Sequence, residues 1–208
     1  MKSSLICLQT VLTALVANAA PLHTQLETRA SWPDLPFKVS GRNILSASGS
    51  NVVYVGTNWP GHGESMLPEG LNYNSIENIV GLIKSLDMNA VRLTYAIEMI
   101  DDIYANSPDQ TLEATLVKAL GQENGTAVLS QILEHNPQFN SETTRLEVFD
   151  AVAAELAKQE IWIHLDNHVS KAKWCCGADD GNAWFGDTYF DVDNWVRGLG
   201  YMADHAKS

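Results

Sequence analysis

The pattern that most constrains the fold of this chain is an alternation of apolar, strand-like runs with amphipathic helical stretches. Strands are predicted at residues 51–56, 89–95 and 161–165, and the last is apolar on both faces, as buried parallel strands tend to be. The helical faces carry, in chain order, Ile76, Ile79, Val80, Ile83 and Leu86; Leu146, Phe149, Val152, Ala153 and Leu156; and Val192, Trp195, Val196, Leu199 and Met202. The repeated order of strand and helix predicts right-handed βαβ units and a parallel sheet.

The connections of this predicted sheet differ in length and chemistry. Those that follow strands are long and rich in polar and aromatic residues, as in a (β/α)₈ barrel with its functional loops at the carboxyl ends of the strands. A doubly wound open sheet has the same alternation, but the first strand runs into GTNWPGHG, residues 56–63, and not into a phosphate-binding turn. We therefore expect an α/β fold of the TIM-barrel family. Only about the first three units are recognised, whereas a complete barrel has eight units and about 250 residues.

Several local features refine this expectation. Residues 41–50 predict a short hairpin before the first strand, with Gly49 at a turn. Residues 96–140 form a predicted insertion that contains two short amphipathic pieces, around 112–120 and 127–133. Ser141 is predicted to open the second of the three main helices.

The first twenty residues have the pattern of a secretory signal peptide. Lys2 supplies the positive charge, residues 5–16 are apolar, and residues 17–19 (Ala-Asn-Ala) fit the cleavage pattern. An N-terminal membrane anchor is the alternative, although the apolar stretch is short for a bilayer span. We expect a signal peptide at 1–20, an N-terminal extension at 21–40 and a secreted, extracellular domain from residue 41 to 208.

Charge narrows the range of partners. The chain has 13 Lys and Arg against 25 Asp and Glu, a formal net charge of −12. Nucleic acid and anionic membrane surfaces would repel such a protein, so neither is predicted as a partner. The sequon at Asn124 predicts N-glycosylation in a surface loop, which agrees with export.

The cysteines leave two alternatives open. Cys7 lies in the predicted signal peptide, which leaves the adjacent Cys175 and Cys176. These can bond to each other only through a strained ring, or they pair with cysteines that this chain does not contain. A metal site that joins them to Asp166 and His168 is disfavoured, because adjacent cysteines do not easily ligate one tetrahedral ion. No metal and no cofactor are predicted.

Chemically active side chains gather after the carboxyl end of each predicted strand. They are Asn58, Trp59, His62 and Glu64; Arg92, Tyr95, Glu98, Asp101 and Asp102; and Asp166, Asn167, His168, Lys171, Trp174 and Trp184. In a parallel sheet these three clusters meet on one rim. Aromatic rings cover the C–H faces of a pyranose while amides, imidazoles and carboxylates satisfy its hydroxyls, so the rim suits a sugar.

Structural roles compete with these functional ones. Arg92 sits inside an apolar strand, where an ion pair with Asp166 or with a residue of another strand is as good an explanation as catalytic support. The loop position of Trp59 and Trp174 favours exposure, but both can instead cover the end of the barrel. His168 can be a satisfied rim histidine, although its place after Asp166 and Asn167 favours a functional role.

Three segments together resemble a known family. NVVYVGTNWPGHGE (51–64), MNAVRLTYAIEMIDDIY (88–104) and WIHLDNHVSKAKWCCGADDGNAWFGDTYFDVDNW (162–195) are similar to the N-terminal half of fungal glycoside hydrolase family 5 enzymes, the cellulase-like (β/α)₈ hydrolases. The resemblance runs from about Gly41 onwards. It implies that residues 41–208 are the N-terminal part of such a catalytic domain.

The resemblance also implies roles for single residues. Arg92 is similar to the family arginine that supports the nucleophilic carboxylate, and His168 to the histidine that lines the subsite of the cleaved bond. The residues expected to bind substrate are Asn58, Trp59, His62, Tyr95, Asn167 and Trp174. The implied substrate is a β-linked polysaccharide or oligosaccharide.

The catalytic glutamates implied by the family have no counterpart here. Family members hydrolyse β-glycosidic bonds with retention, through two carboxyl groups about 5–5.5 Å apart. The acid/base belongs to an Asn-Glu pair that ends the fourth strand, and the nucleophile ends the seventh, whereas three strands are recognised in this sequence. We therefore expect a glycoside hydrolase by family whose chain is inactive alone. The alternatives are a non-catalytic carbohydrate-binding protein and a truncated product without a function of its own.

Overall fold

A computed structural model describes residues 32–207, so the predicted signal peptide and most of the predicted extension lie outside the described residues. The strands are β1 (Lys38–Ser40), β2 (Asn43–Leu45), β3 (Asn51–Val52), β4 (Gly56–Trp59), β5 (Ala90–Ala96) and β6 (Trp162–Val169). The helices are α1 (Ile76–Ser85), α2 (Ile97–Asn106), α3 (Leu112–Leu120), α4 (Gln122–His135), α5 (Arg145–Lys158) and α6 (Val192–His205).

The parallel sheet predicted from the alternation is confirmed. β4, β5 and β6 pair in parallel in that order, with Asn58 opposite Arg92 and Arg92 opposite His164. α1 follows β4, α5 precedes β6 and α6 follows it, in the order that the periodicity predicts. The chain is therefore α/β, with an incomplete sheet of three parallel strands among the described residues.

The predicted first strand at 51–56 is wrong. β3 ends at Val52 and belongs to a separate antiparallel sheet with β1 and β2, whereas the first parallel strand begins at Gly56. The side chain of Asn89 explains the break: its Oδ1 accepts from the N–H of Val55 at 2.9 Å and its Nδ2 donates to the carbonyl of Val53 at 2.8 Å. The turn predicted at Gly49 is confirmed, with a φ of 87°.

The insertion after β5 is more helical than predicted. The two expected amphipathic pieces are α3 and α4, but α2 begins directly after β5 and was not predicted. Asn124 is exposed as expected, yet it lies in the first turn of α4 and not in a loop. α5 begins at Arg145, because Thr144 and Glu147 form a reciprocal capping box there, and not at Ser141.

The core lies between the parallel sheet and the helices. Val91 and Leu93 of β5 are buried, as are Val148 and Val152 on the facing side of α5. Alternate residues of a strand point to opposite faces, so Arg92, between two buried residues, belongs to the open face of the sheet. None of the helices within residues 32–207 combines the length and the apolar character needed to cross a bilayer.

Candidate functional site

The open face of the sheet carries an ion-paired cluster near the carboxyl end of β6. Asp166 Oδ2 lies 2.9 Å from Arg92 Nη2 and 2.8 Å from His168 Nδ1. Parallel pairing places Asp166 on the same face as Arg92. The register shifts at His168, which has no partner in β5, and its contact with Asp166 shows that it joins them. The ion pair of Arg92 with Asp166, one of the two explanations considered for that arginine, is thereby confirmed.

The tautomer of His168 follows from these contacts. Nδ1 of His168 lies between an acceptor, Asp166 Oδ2 at 2.8 Å, and a donor, Arg92 Nη2 at 3.2 Å; the shorter contact favours a hydrogen on Nδ1 that is donated to Asp166. The Nε2 atom lies 3.0 Å from the sulfur of Cys175, and in the tautomer with hydrogen on Nδ1 alone it would carry the free lone pair. Nδ1 thus orients the imidazole, and Nε2 faces the cysteine pair.

His62 enters the cluster from the segment after β4. It is 4% exposed, and its Nδ1 lies 2.7 Å from Thr94 Oγ1. Thr94 Oγ1 also accepts the N–H of Gly61 at 3.0 Å and directs its own hydrogen towards the carbonyl of Trp59 at 3.5 Å. His62 Nδ1 is therefore the donor. Burial, the largest cause, lowers the pKa of His62 and so favours the neutral form of its ring.

An exposed aromatic ring lies next to the two histidines. The ring centroids of His62 and His168 are 4.3 Å apart, and the indole of Trp174 lies 6.1 Å from His62 at an interplanar angle of 28°. Trp174 is 67% exposed. The predicted exposure of Trp174 is confirmed, and the rim offers a flat apolar surface beside imidazole groups.

The two cysteines form the strained-ring disulfide, which was one of the two alternatives for them. Cys175 and Cys176 are bonded to each other, at the position where the loop after β6 passes His168. His62, His168 and Cys175 each place a potential metal-ligand atom within 4.8 Å of the other two. In the disulfide the sulfur is not a thiolate, the form that binds metals.

Besides His62, two more of the residues predicted to bind substrate are buried. Trp59 is 4% exposed and donates its indole N–H to the carbonyl of Glu69, because it is the last residue of β4 and packs into the core; the expectation of an exposed Trp59 is wrong. Tyr95 is 2% exposed, and its burial, followed by the charge of Asp166, raises its pKa to about 12. Tyr95 pairs with Asn167 in the sheet, and both alternate with the cluster residues, so they belong to the opposite face. Asn58 is exposed on the same face as Arg92.

Two supporting contacts were not predicted. Thr94 orients His62, and strand alternation with Arg92 was the sequence signal that placed it on the same face. Glu98 of α2 pairs with Lys171 and accepts the N–H of Ala172 at 2.8 Å, which ties the loop after β6 to the start of α2. Glu98 and Lys171 are therefore structural anchors of the loop that carries Trp174.

Comparison with known proteins relates the sequence to one hydrolase family. No family model matches the chain. A glycosyl hydrolase 5 family protein from Chamaecyparis obtusa is 39% identical over 193 residues, which cover 92% of this chain and 32% of that protein. The resemblance to glycoside hydrolase family 5 is confirmed. The chain spans about a third of the length of this relative, so the whole protein's activity is a matter of proposal.

Solved structures support the fold. The catalytic domain of the major endoglucanase of Xanthomonas campestris pv. campestris matches with a TM-score of 0.58 at 18% identity, over 81% of this chain and 40% of that one. An endocellulase variant of Pyrococcus horikoshii, solved as a complex with cellotetraose, matches with a TM-score of 0.59 at 18% identity, over 81% and 39%. These cellulases have the TIM-barrel fold, and the parallel strands and helices described above match part of it.

Proposed function

We propose that this chain is the sugar-holding part of a family 5 glycoside hydrolase, that it binds β-linked oligosaccharide at the rim, and that it does not hydrolyse it alone. The observation that carries the proposal is the exposed Trp174 ring beside the His62–His168 pair. The relation to a glycosyl hydrolase 5 family protein supports the same substrate class. Export of the chain and N-glycosylation at Asn124 remain predictions.

The chemistry of the rim supports stacking with lateral hydrogen bonds. The indole of Trp174 can cover the C–H face of a pyranose, and exposed Asn58 offers an amide on the same sheet face as Arg92. The endocellulase of Pyrococcus horikoshii was solved as a complex with cellotetraose, which makes this oligosaccharide the first ligand to test. We propose that a β-linked glucan chain lies across Trp174 in this protein.

The contacts of two rim carboxylates support our proposal that this chain does not hydrolyse its ligand alone. Retaining hydrolysis needs two carboxyl groups about 5–5.5 Å apart, one protonated and one free to attack. Asp166 is held by Arg92 and His168, and Glu98 is held by Lys171 and a backbone N–H. We propose that both are positioning residues, and that in a complete barrel Arg92 supports a nucleophile supplied by another strand.

Hydrolysis assays test this proposal directly. The purified chain is incubated with β-glucan and with β-mannan, and the release of reducing ends is followed with time. We expect no release above a heat-denatured sample. Turnover that is abolished by Arg92→Ala or His168→Ala, with circular dichroism unchanged, would show that the chain has its own catalytic centre and would overturn the proposal.

A non-catalytic carbohydrate-binding protein is the second candidate, and the exposure of Trp174 favours it. Sedimentation with insoluble cellulose distinguishes the hydrolase part from the binding protein. A binding protein is expected to sediment with the insoluble chains. Its sedimented fraction should fall more in Trp174→Ala than in Trp184→Ala. Trp184 is the matched control because it is also 67% exposed. Binding to soluble oligosaccharide without sedimentation favours the hydrolase part over the binding protein.

A further inference from the structure

The cluster around His168 has a feature that sugar binding does not require. The Nε2 atom of His168 faces the cysteine pair, 3.0 Å from the sulfur of Cys175 and 3.8 Å from that of Cys176. The Nε2 atom of His62 is buried and has no hydrogen-bond partner within the part of the chain that the structure describes. Ligand atoms from His62, His168 and Cys175 lie within 4.8 Å of one another.

The hydrogen bonds of both imidazoles orient their Nε2 atoms for metal binding. A ligating histidine in a metal site typically donates its other N–H to a carboxylate or another acceptor, which fixes its tautomer and orientation. Asp166 serves this purpose for His168 Nδ1 at 2.8 Å, and Thr94 Oγ1 serves it for His62 Nδ1 at 2.7 Å. With hydrogen on Nδ1 alone, each ring would present the lone pair of its Nε2 atom to the cluster, which also contains sulfur.

We propose that reduction of the Cys175–Cys176 disulfide converts this cluster into a Zn²⁺ site with His62 Nε2, His168 Nε2 and Cys175 Sγ as ligands. A dithiol supplies the two electrons and two protons that turn the disulfide into two thiols, and is itself oxidised to a disulfide. The thiol of Cys175 then releases its proton to solvent and binds the ion as a thiolate. Water completes a tetrahedral set.

The distances fit this ion after a small adjustment. With Zn–N near 2.0–2.1 Å and Zn–S near 2.3 Å, ligand atoms in a tetrahedral site are about 3.3–3.6 Å apart. The His168–Cys175 pair is at 3.0 Å and no pair in the cluster exceeds 4.8 Å, so shifts of about 1 Å suffice. Adjacent cysteines rarely bind one ion together, but this site needs only Cys175, while Cys176 is exposed.

The charges around the cluster are balanced. The Arg92 guanidinium lies 3.2 Å from His168 Nδ1, but Asp166 offsets its charge at 2.9 Å. One thiolate and two neutral imidazoles then face the ion, and His and Cys are the side chains that zinc prefers. This proposal depends on the ligand atoms alone and is independent of the proposed sugar binding.

A pair of single substitutions tests the site without a reductant. Cys176→Ser prevents the disulfide and leaves Cys175 as a free thiol, whereas Cys175→Ser leaves only the other thiol. Each variant is titrated with Co²⁺, whose thiolate charge-transfer absorption and tetrahedral d–d bands report the ligands. We expect Cys176→Ser to bind one Co²⁺ per chain with a thiolate band, and Cys175→Ser to show no such band.

Further variants distinguish an effect on the metal site from a general effect on the structure. In the Cys176→Ser background, Thr94→Val removes the partner of His62 Nδ1 and is expected to weaken Co²⁺ binding by about 10–100-fold. His164→Ala, an exposed histidine on the same strand as His168, is expected to leave it unchanged. Wild type reduced with a dithiol and desalted without oxygen should bind as Cys176→Ser does. Equal Co²⁺ binding by the two cysteine variants, or reduced wild type that binds no more than oxidised, would overturn the proposal.

Discussion

Arg145 is the buried charge that joins α5 to the helical excursion, which is the insertion after β5 at residues 96–140, and its removal gives the largest expected loss of stability. Its side chain is 0% exposed. Nε and Nη2 lie 2.8 and 2.6 Å from Asp109 Oδ1, and Nη1 lies 3.0 Å from Asp102 Oδ2. In Arg145→Met the apolar volume is nearly kept, so the change isolates the loss of the guanidinium.

Replacement of Arg145 leaves Asp102 and Asp109 with different numbers of remaining partners. Asp102 is 17% exposed and keeps Lys118 at 3.2 Å. Asp109 is 6% exposed, and within residues 32–207 it keeps the backbone N–H donors of Gln110 and Leu146. Removal of one partner of a buried pair leaves an uncompensated charge and costs about 3–5 kcal/mol. That is a large part of the 5–15 kcal/mol that typically separates folded from unfolded states.

Urea unfolding followed by far-ultraviolet circular dichroism measures this loss. The double variant Arg145→Met/Asp109→Asn also removes the charge of Asp109, which Arg145→Met leaves unpaired, and it keeps an oxygen acceptor. We therefore expect it to regain about half or more of the unfolding free energy that the single variant loses. Lys118→Met is the exposed control, expected within about 1 kcal/mol of wild type. A single Arg145→Met variant that also stays within about 1 kcal/mol, or no recovery in the double variant, would refute the reasoning.

Two further predictions concern buried polar side chains. Because burial lowers the pKa of His62, the unfolded chain gains a proton there below about pH 6.5 while the native chain does not, so stability is full above that pH and falls on acidification. Urea midpoints at about pH 7.5 and about pH 5.5 should differ less in His62→Gln than in wild type, and an equal drop would contradict this. Asn136 is 0% exposed, accepts the N–H of Ile76 at 2.9 Å and donates to the carbonyl of Leu71 at 3.0 Å. Asn136→Leu should cost about 3 kcal/mol in the same assay, against a change below about 0.5 kcal/mol for exposed Asn106→Leu; similar losses in both would argue against the buried network.

The parallel sheet and its helices were predictable because their signals are local. Apolar periodicity identified β5, β6 and the buried face of α5, and parallel pairing then placed Arg92 beside Asp166. It also located α1 and α6, but Leu86, Val192 and Val196 of their predicted apolar faces are exposed, so those two faces were only partly right. Trp59 was misplaced because a loop-like composition around it concealed its position as the last residue of β4. The period-2 rule, applied from Gly56, would have placed it in the core.

Long-range side-chain contacts set the limit of sequence prediction. The start of the first parallel strand depends on Asn89, which lies 34 residues from the Val55 N–H that it binds. Arg145 gave one usable signal: a basic residue in the first turn of a helix opposes the helix dipole, so an acidic partner is expected nearby. The identity of those partners, Asp102 and Asp109, depends on the packing of the helical excursion.

Calorimetric titration with cellotetraose tests the central claim, that the rim around Trp174 holds a β-linked oligosaccharide, most directly. Loss of an aromatic stacking surface is worth about 1–1.5 kcal/mol, so Trp174→Ala should weaken binding by about tenfold. Trp184→Ala, equally exposed, should remain within about twofold of wild type. Saturable binding that Trp174→Ala weakens selectively is the result predicted here; no saturable binding by the folded wild type, or equal affinity in wild type and Trp174→Ala, would contradict it.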